Sequence, residues 1–356
     1  MITAPDGSEV VATAADAHGL SPLLVVDAVV GYLDDCHIGS GPLSWARIGD
    51  GQANVTYRLR RQGADVVLRR GPRPPFAPST HDMVREARIL RVAGAHGVPV
   101  PEVLAVCEDE SILGVPFYLM RWLDGDVLTD STPEGMRSAP QAVGAELVRG
   151  LAAVHSIDID DPEVAALGRP DGYLERQLHR FAALWDANTS RTLPLAEVLW
   201  RWLVDNRPQT QRNVMVHGDY RLGNVMFYPS GPARLLAILD WEMSTLGDPL
   251  ADLGYMAVTY SEPGEERLPV QMTTMTCSPG HLSRSDLIAE YAKYVDLDLE
   301  MLPWYQTFAL WKAAVYCEAI YARWLRGERP EDTVFAPSLE AGVPDLLRAA
   351  DRQRRG

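Results

Sequence analysis

The apolar residues of this chain change their spacing part-way along. Between about residues 40 and 120 they alternate with polar ones, as in WARIGDGQANVTYRLRRQGADVVLRRG and again in VPVPEVLAVCEDESILGVPFYLMRWLDG. From about residue 125 onward they recur every three to four positions. Alternation is the pattern of half-buried strands, and a period of about 3.6 is that of helices lying on a core. Such a chain must therefore build a small sheet first and a mainly helical body after it. Its 356 residues also exceed what one hydrophobic core usually holds, so two lobes are expected. We expect an N-terminal helical segment at 1–39, a sheet-rich lobe at 40–120, a connection at 121–126 and a helical lobe at 127–356.

Local signals fill in this outline. SPLLVVDAVVGYLDDC, residues 21–36, reads as an amphipathic helix with Ser21 as N-cap and Pro22 in its first turn. GSGPL then reads as a loop, and two strands fit around a turn at Gln62-Gly63. The prolines of PRPPFAPS exclude regular structure. STHDMVREARILRVAG has helical spacing, with Ser79 or Thr80 to cap it and Gly94 to end it. In the second lobe QAVGAELVRGLAAVHSI, GYLERQLHRFAALWDA and LAEVLWRWLVDN are helical. WYQTFALWKAAVYCEAIYARWLRG places Trp304, Phe308, Trp311 and Val315 on one face, more as core than as a ligand box.

The formal net charge of −15 opposes non-specific nucleic-acid binding, which needs clustered Lys and Arg. The cysteines Cys36, Cys107, Cys277 and Cys317 are scattered, without zinc or redox spacing, which suits free thiols. The start, MITAPDGSEV, lacks a signal-peptide pattern, and LLVVDAVVGYL is too short to span a bilayer. A cytoplasmic protein that binds neither membrane nor nucleic acid is expected.

The densest chemistry lies in VMVHGDYRLGNVMFYPSGPARLLAILDWE, read as a strand, a polar loop and a hairpin. Asp219 is followed five positions later by Asn224, giving D-x-x-x-x-N, and Asp240 follows the apolar hairpin. If the hairpin folds back, two carboxylates and an amide oxygen meet near one point. Oxygen donors of this kind suit magnesium, which takes few protein ligands and leaves positions for substrate phosphates. Protein kinases use the same order, H-R-D-x-x-x-x-N and then an Asp on the following hairpin. Here Gly218 stands in place of the Arg, and Asp240-Trp241-Glu242 in place of D-F-G. His217 is expected to be a core histidine bonded to backbone. Asp248 and Asp252 of GDPLAD are expected to brace loops by hydrogen bonds.

HGDYRLGN and DWEMSTLGDPLADLGY resemble the aminoglycoside phosphotransferase family, whose fold is kinase-like. They resemble most the branch found attached to some acyl-CoA dehydrogenases, as do VPVPEVLAVCED, GVPFYLMRWLDG and YARWLRG. The resemblance runs over roughly residues 40–330. It implies an α+β fold, with a small antiparallel-sheet lobe carrying one helix and a larger helical lobe. It also implies Mg-dependent transfer of a phosphoryl group from ATP or GTP to a small-molecule hydroxyl. Asp219 would then take the hydroxyl proton, and Asn224 and Asp240 would hold metal. Gly51 and Asn54 would cover phosphates, and the backbone from Met120 to Trp122 would meet the base. Kinase-like folds pair a strand lysine with a helix glutamate; here Glu86 supplies the acid and the strand offers Arg69. The acceptor is left open among a hydroxyacyl thioester, an aminoglycoside-like sugar and others. The alternative from another class is a catalytically silent nucleotide- or metabolite-binding pseudokinase. No G-x-S-x-G or H-E-x-x-H occurs to support a hydrolase.

Overall fold

The alternating segment forms a five-stranded antiparallel sheet. Its strands are β1 (Ser40–Arg47), β2 (Val55–Gln62), β3 (Ala64–Arg70), β4 (Val103–Cys107) and β5 (Phe117–Arg121), in the order β1-β2-β3-β5-β4. The computed structural model describes residues 9–16, 20–49, 54–74, 81–328 and 332–356. The chain divides into two compact units, Met1–Asp124 and Gly125–Gly356.

In the first unit Val55, Tyr57 and Leu59 of β2 point inward and are buried, while Arg58 and Arg60 face the other way, as the period demands. They pack with Leu68, Phe117 and Leu119 and with Val29 and Leu33 of α1 (Val26–Asp35). The β2–β3 turn falls at Gln62-Gly63, where Gly63 adopts φ +79°. Helix α2 (Met83–Ala95) buries Met83, Ala87, Ile89 and Leu90.

Three local expectations are corrected here. The first helix starts at Val26, not after Ser21, because Leu23 and Leu24 donate to the Glu9 carbonyl and Leu24–Val25 pairs in parallel with Val10–Val11. Backbone pairing claims the residues that Ser21 and Pro22 would have launched into a helix. SGPL lies in β1 instead of a loop, and the register slip between Ser40 and Ser44 accommodates the extra residues. Asp82 caps α2, accepting from the Arg85 amide at 2.9 Å, and the helix runs on through Ala95. Ser79 and Thr80 lie outside the described residues.

The second unit holds a short strand β6 (Asp126–Val127) and helices α3 (Gln141–His155), α4 (Tyr173–Asn188) and α5 (Pro194–Asp205). Strands β7 (Val214–Val216), β8 (Val225–Phe227), β9 (Leu235–Ile238) and β10 (Thr245–Gly247) follow. Helices α6 (Pro249–Thr259), α7 (Arg284–Tyr291), α8 (Leu302–Leu325) and α9 (Phe335–Gln353) complete it. β7 pairs antiparallel with β10, and β8 sits between β9 and β6. Helix α8 runs through the core: Trp304, Phe308, Trp311 and Val315 are all buried, as a core stripe should be. The Trp304 and Trp311 indoles donate to the Leu203 and Ala196 carbonyls, each at 3.1 Å, pinning α8 to α5. No helix among the described residues is long and apolar enough to cross a membrane.

Candidate active site

The polar loop is strung between two strands. It leaves β7 at Val216 and enters β8 at Val225 through a single 3-10 turn, Leu222–Asn224. Its carboxyl-side neighbour, Asp240 to Ser244, connects β9 to β10. Because β7 pairs with β10 and β8 with β9, both loops emerge from the same small set of ladders.

Register then decides which residues meet. Val225 lies opposite Ile238, and the Leu239 amide donates to the Asn224 carbonyl at 2.8 Å. Asp240 therefore follows directly on the residue paired with Asn224, as the folded-back hairpin requires. Asp240 holds φ +64°, in the left-handed region that costs an aspartate strain. Trp241 after it is fully buried and donates from its indole to the Ile238 carbonyl at 3.0 Å.

Asp219 and Asn224 are joined directly. The Asn224 side-chain amide donates to Asp219 Oδ2 at 2.7 Å and to the Asp219 carbonyl at 2.9 Å. Both donors of that amide are thereby used, so the carbonyl end is the one left to face a cation. Arg221 Nε stands 3.5 Å from Asp219 Oδ1. The Tyr255 hydroxyl is held protonated, well above its usual range, by burial first and by the adjacent Asp219 carboxylate second.

Asp252 braces this loop from α6. Its Oδ2 accepts from the His217 amide at 2.6 Å and faces His155 Nε2 at 3.3 Å, while Oδ1 accepts from the Gly218 amide at 2.8 Å. Burial alone would raise its pKa, but the His155 hydrogen bond and charge, with His217 and the Gly218 amide, hold it below the usual carboxylate range. Asp248 caps α6 at the Leu250 amide and accepts from the Tyr305 hydroxyl at 2.8 Å. His217 is a core histidine: its Nδ1 accepts from the Asp219 amide at 3.3 Å, which leaves Nε2 to donate to the Leu239 carbonyl at 2.9 Å. Gly218 answers the missing arginine. It holds φ +87°, and a Cβ there would lie 2.7 Å from the Met243 carbonyl oxygen.

In the first unit, Arg69 of β3 and Glu86 of α2 do meet, with Nε 3.0 Å from Oε1. The Tyr118 hydroxyl donates to the same oxygen at 3.2 Å. Neighbouring Arg70 is buried and donates to the Leu23, Gly71 and Leu113 carbonyls. Asn54 is buried, with its side-chain oxygen 2.7 Å from His81 Nδ1. Met120 lies in the sheet opposite Val67 and Val103. Trp122 follows the strand, its amide donating to the Asp65 carbonyl at 3.3 Å and its ring covered by the Arg58 guanidinium at 3.7 Å. Gly51 lies outside the described residues.

Three residues escaped the motif reading. His155 and Tyr255 sit in ordinary helical patterns that carry no signal of their own. Lys312 does carry one: only two of the chain's 33 Lys and Arg residues are lysines, Lys293 and Lys312, and Lys312 lies within the aromatic stripe of α8. With Asp219, Tyr255 and Tyr316 it lines a cavity of about 240 Å³ inside the second unit.

A sheet carrying a buried Arg–Glu pair, with a helical unit presenting D-x-x-x-x-N and a hairpin aspartate, defines an α+β, kinase-like fold. Residues 44–285 match the model of the phosphotransferase enzyme family. Acyl-CoA dehydrogenase family member 10 of Mus musculus is 33% identical over 306 residues, covering 83% of this chain and 28% of that protein. A crystal structure of a candidate aminoglycoside phosphotransferase from Ralstonia eutropha JMP134 superposes with a TM-score of 0.72 at 27% identity, covering 92% of this chain and 98% of that one. A spectinomycin phosphotransferase solved with ADP and spectinomycin shares the fold at TM-score 0.59 and 12% identity, covering 91% and 98% of the two chains. The chain belongs to the phosphotransferase enzyme family. It spans between a quarter and two fifths of the length of its acyl-CoA dehydrogenase relatives.

Proposed function

We propose that the chain transfers the γ-phosphoryl group of ATP or GTP to a hydroxyl of a small molecule, with magnesium. The observation that carries this reading is the joining of Asp219 to Asn224 at 2.7 Å, beside a hairpin whose register sets Asp240 next to Asn224.

In this reading Asp219 is the general base. Asn224 fixes its Oδ2, and the Tyr255 hydroxyl and Arg221 limit how the carboxylate turns, so it is pre-set to accept a hydroxyl proton. Asp252 anchors the two amides that precede it, which holds the loop in place without touching the acceptor. The residues present fit a hard cation. The Asn224 carbonyl oxygen and the Asp240 carboxylate would hold magnesium, a ligand number that leaves room for phosphates and water. When bound, the ion would neutralise charge on the transferred group.

On the donor side, Arg69 would bind phosphate as a planar fork, its orientation set by Glu86. Gly51 and Asn54 would cover the phosphates. The Met120 side chain and the backbone at Trp122 would meet the base. The bound ADP of the spectinomycin phosphotransferase supports a nucleotide donor. The relatives' names mention acyl-CoA and aminoglycosides, and the acceptor candidates kept here are a hydroxyacyl thioester and an aminoglycoside-like sugar.

A thermal shift of the purified protein with ATP or GTP, each with and without magnesium, tests this reading. A nucleotide at a hundred times its dissociation constant adds about 2.7 kcal/mol, enough to move the midpoint by several degrees. Asp240→Ala should abolish the magnesium-dependent part. A wild-type midpoint indifferent to both nucleotides would point to the silent-binder alternative.

A further inference from the structure

A second cavity of the helical unit shares no lining residue with the one at Asp219. It holds about 520 Å³, within the roughly 300–1,000 Å³ of small-molecule sites. Its apolar walls are Val258 of α6, Leu310 of α8, Ala349 of α9 and Leu268 of the α6–α7 connection, all buried.

Two glutamines give the cavity its chemistry. Gln271 of the same connection is 4% exposed, and Gln306 of α8 is 8% exposed. The oxygen of each side chain is already engaged. Gln271 Oε1 accepts from the Leu268 amide at 2.9 Å, and Gln306 Oε1 accepts from Gln353 Nε2 at 2.7 Å. A backbone amide can only donate, so the Leu268 bond fixes which end of Gln271 is the NH2. Neither NH2 group has an acceptor among the described residues, and neither belongs to the polar atoms that the fold seals off. A buried N–H without an acceptor is costly, and two of them line one cavity.

The charges around these amides are balanced. Arg284 spends its guanidinium on the Glu265 carboxylate and on the Ala257 and Tyr260 carbonyls. The other two charged residues of the lining, Glu266 and Arg352, are exposed and of opposite sign. The buried end thus offers N–H donors and no unpaired charge. An ammonium would meet donors there, and a carboxylate would lose its water without a cation beside it. A hydroxyl would bring a proton where both buried amide oxygens are already engaged. A carbonyl brings only acceptors, and an apolar skeleton suits the four walls.

We propose that this cavity is a second ligand site. It takes a small uncharged carbonyl compound without N–H or O–H donors, such as a lactone, an ester or a tertiary amide. The carbonyl oxygen accepts from the NH2 groups of Gln271 and Gln306. The site does not depend on the phosphotransferase reading, because none of its residues takes part in that chemistry.

Calorimetry and NMR of methyl-labelled protein test this with δ-octalactone and N-butylpyrrolidone as carbonyl probes. Hexanoate, hexylamine and hexanol serve as counterparts. The carbonyl probes should bind at least about tenfold tighter than any counterpart and should saturably shift the Val258 and Leu310 methyl signals. Gln271→Glu and Gln306→Glu keep the oxygen that accepts from Leu268 or Gln353 and remove the donor. At about pH 8, where the new carboxylates ionise, each should lose about tenfold for the carbonyl probes and gain affinity for hexylamine. Should either variant fail to fold, Gln306→Met fills a similar volume without a donor and should show the same loss. Counterparts that bind as tightly as the carbonyl probes would overturn the site. So would carbonyl affinity unchanged in the folded variants, or probes that leave the Val258 and Leu310 signals in place.

Discussion

Replacing Asp252 by asparagine should disable the loop without touching any group that meets substrate. The side chain keeps its shape and loses its charge. In the wild type it accepts from the His217 amide, the Gly218 amide and His155 at 2.6, 2.8 and 3.3 Å. An asparagine keeps one accepting oxygen, so its NH2 must face at least one backbone N–H, donor against donor. A hydrogen bond to a charged group is worth about 1.5–3 kcal/mol, so losing one and weakening the others should cost about 3–5 kcal/mol. For a unit the size of Gly125–Gly356 that lowers the melting midpoint by about 6–20 °C. The pH dependence carries a second signature. The Asp252 carboxyl is held below its usual range, so its stabilisation is complete above the unfolded value near about pH 3.9 and is lost as pH falls through the lower folded value. Thermal unfolding by circular dichroism should thus show a constant gap between wild type and Asp252→Asn at neutral pH, narrowing only below about pH 4. Phosphorylation should fall in parallel, in kcat more than in nucleotide affinity. A midpoint within about 2 °C of wild type, with turnover unchanged, would refute the bracing role.

Gly218→Ala should cost about 1–3 kcal/mol and most of the turnover, since its Cβ meets the Met243 carbonyl at a backbone angle closed to alanine; urea unfolding and kcat check it. Arg69→Met should raise the nucleotide dissociation constant at least about tenfold and cost about 3 kcal/mol, because Glu86 would remain buried without its cation; Arg69→Lys should recover most of both in calorimetry and unfolding. Lys312 titrates near about 8 in the folded chain because burial opposes its charge, so between that pH and its unfolded value the unfolded chain binds more protons and stability rises with pH. Relative to Lys312→Met, the wild type should gain about 2 kcal/mol between pH 7 and pH 9.5 in urea unfolding, and a flat difference would mean that the lysine is solvated.

The change of period was enough to foretell a sheet of alternating strands before a helical body, because each strand and helix must turn its apolar side to a core. The order Asp219, Asn224, Asp240 was legible for a different reason: spacing along a loop and across one hairpin is short-range geometry. Register across β8 and β9 made it specific, since a slip of one residue would have moved Asp240 away from Asn224. The helix start at Val26 was not legible, because a contact from Glu9 outweighed the local signals of Ser21 and Pro22. The pairing of Arg69 with Glu86 was expected only from the resemblance to kinase-like folds, since their meeting depends on α2 crossing the sheet and no local signal links them. Lys312 marks the limit most clearly. Its rarity could be read from the chain, but whether its charge was solvated, paired or buried at a site depended on which face of α8 met Phe181 and which met Asp219. Only tertiary packing brings those groups together, because they lie far apart in sequence and no local propensity links them.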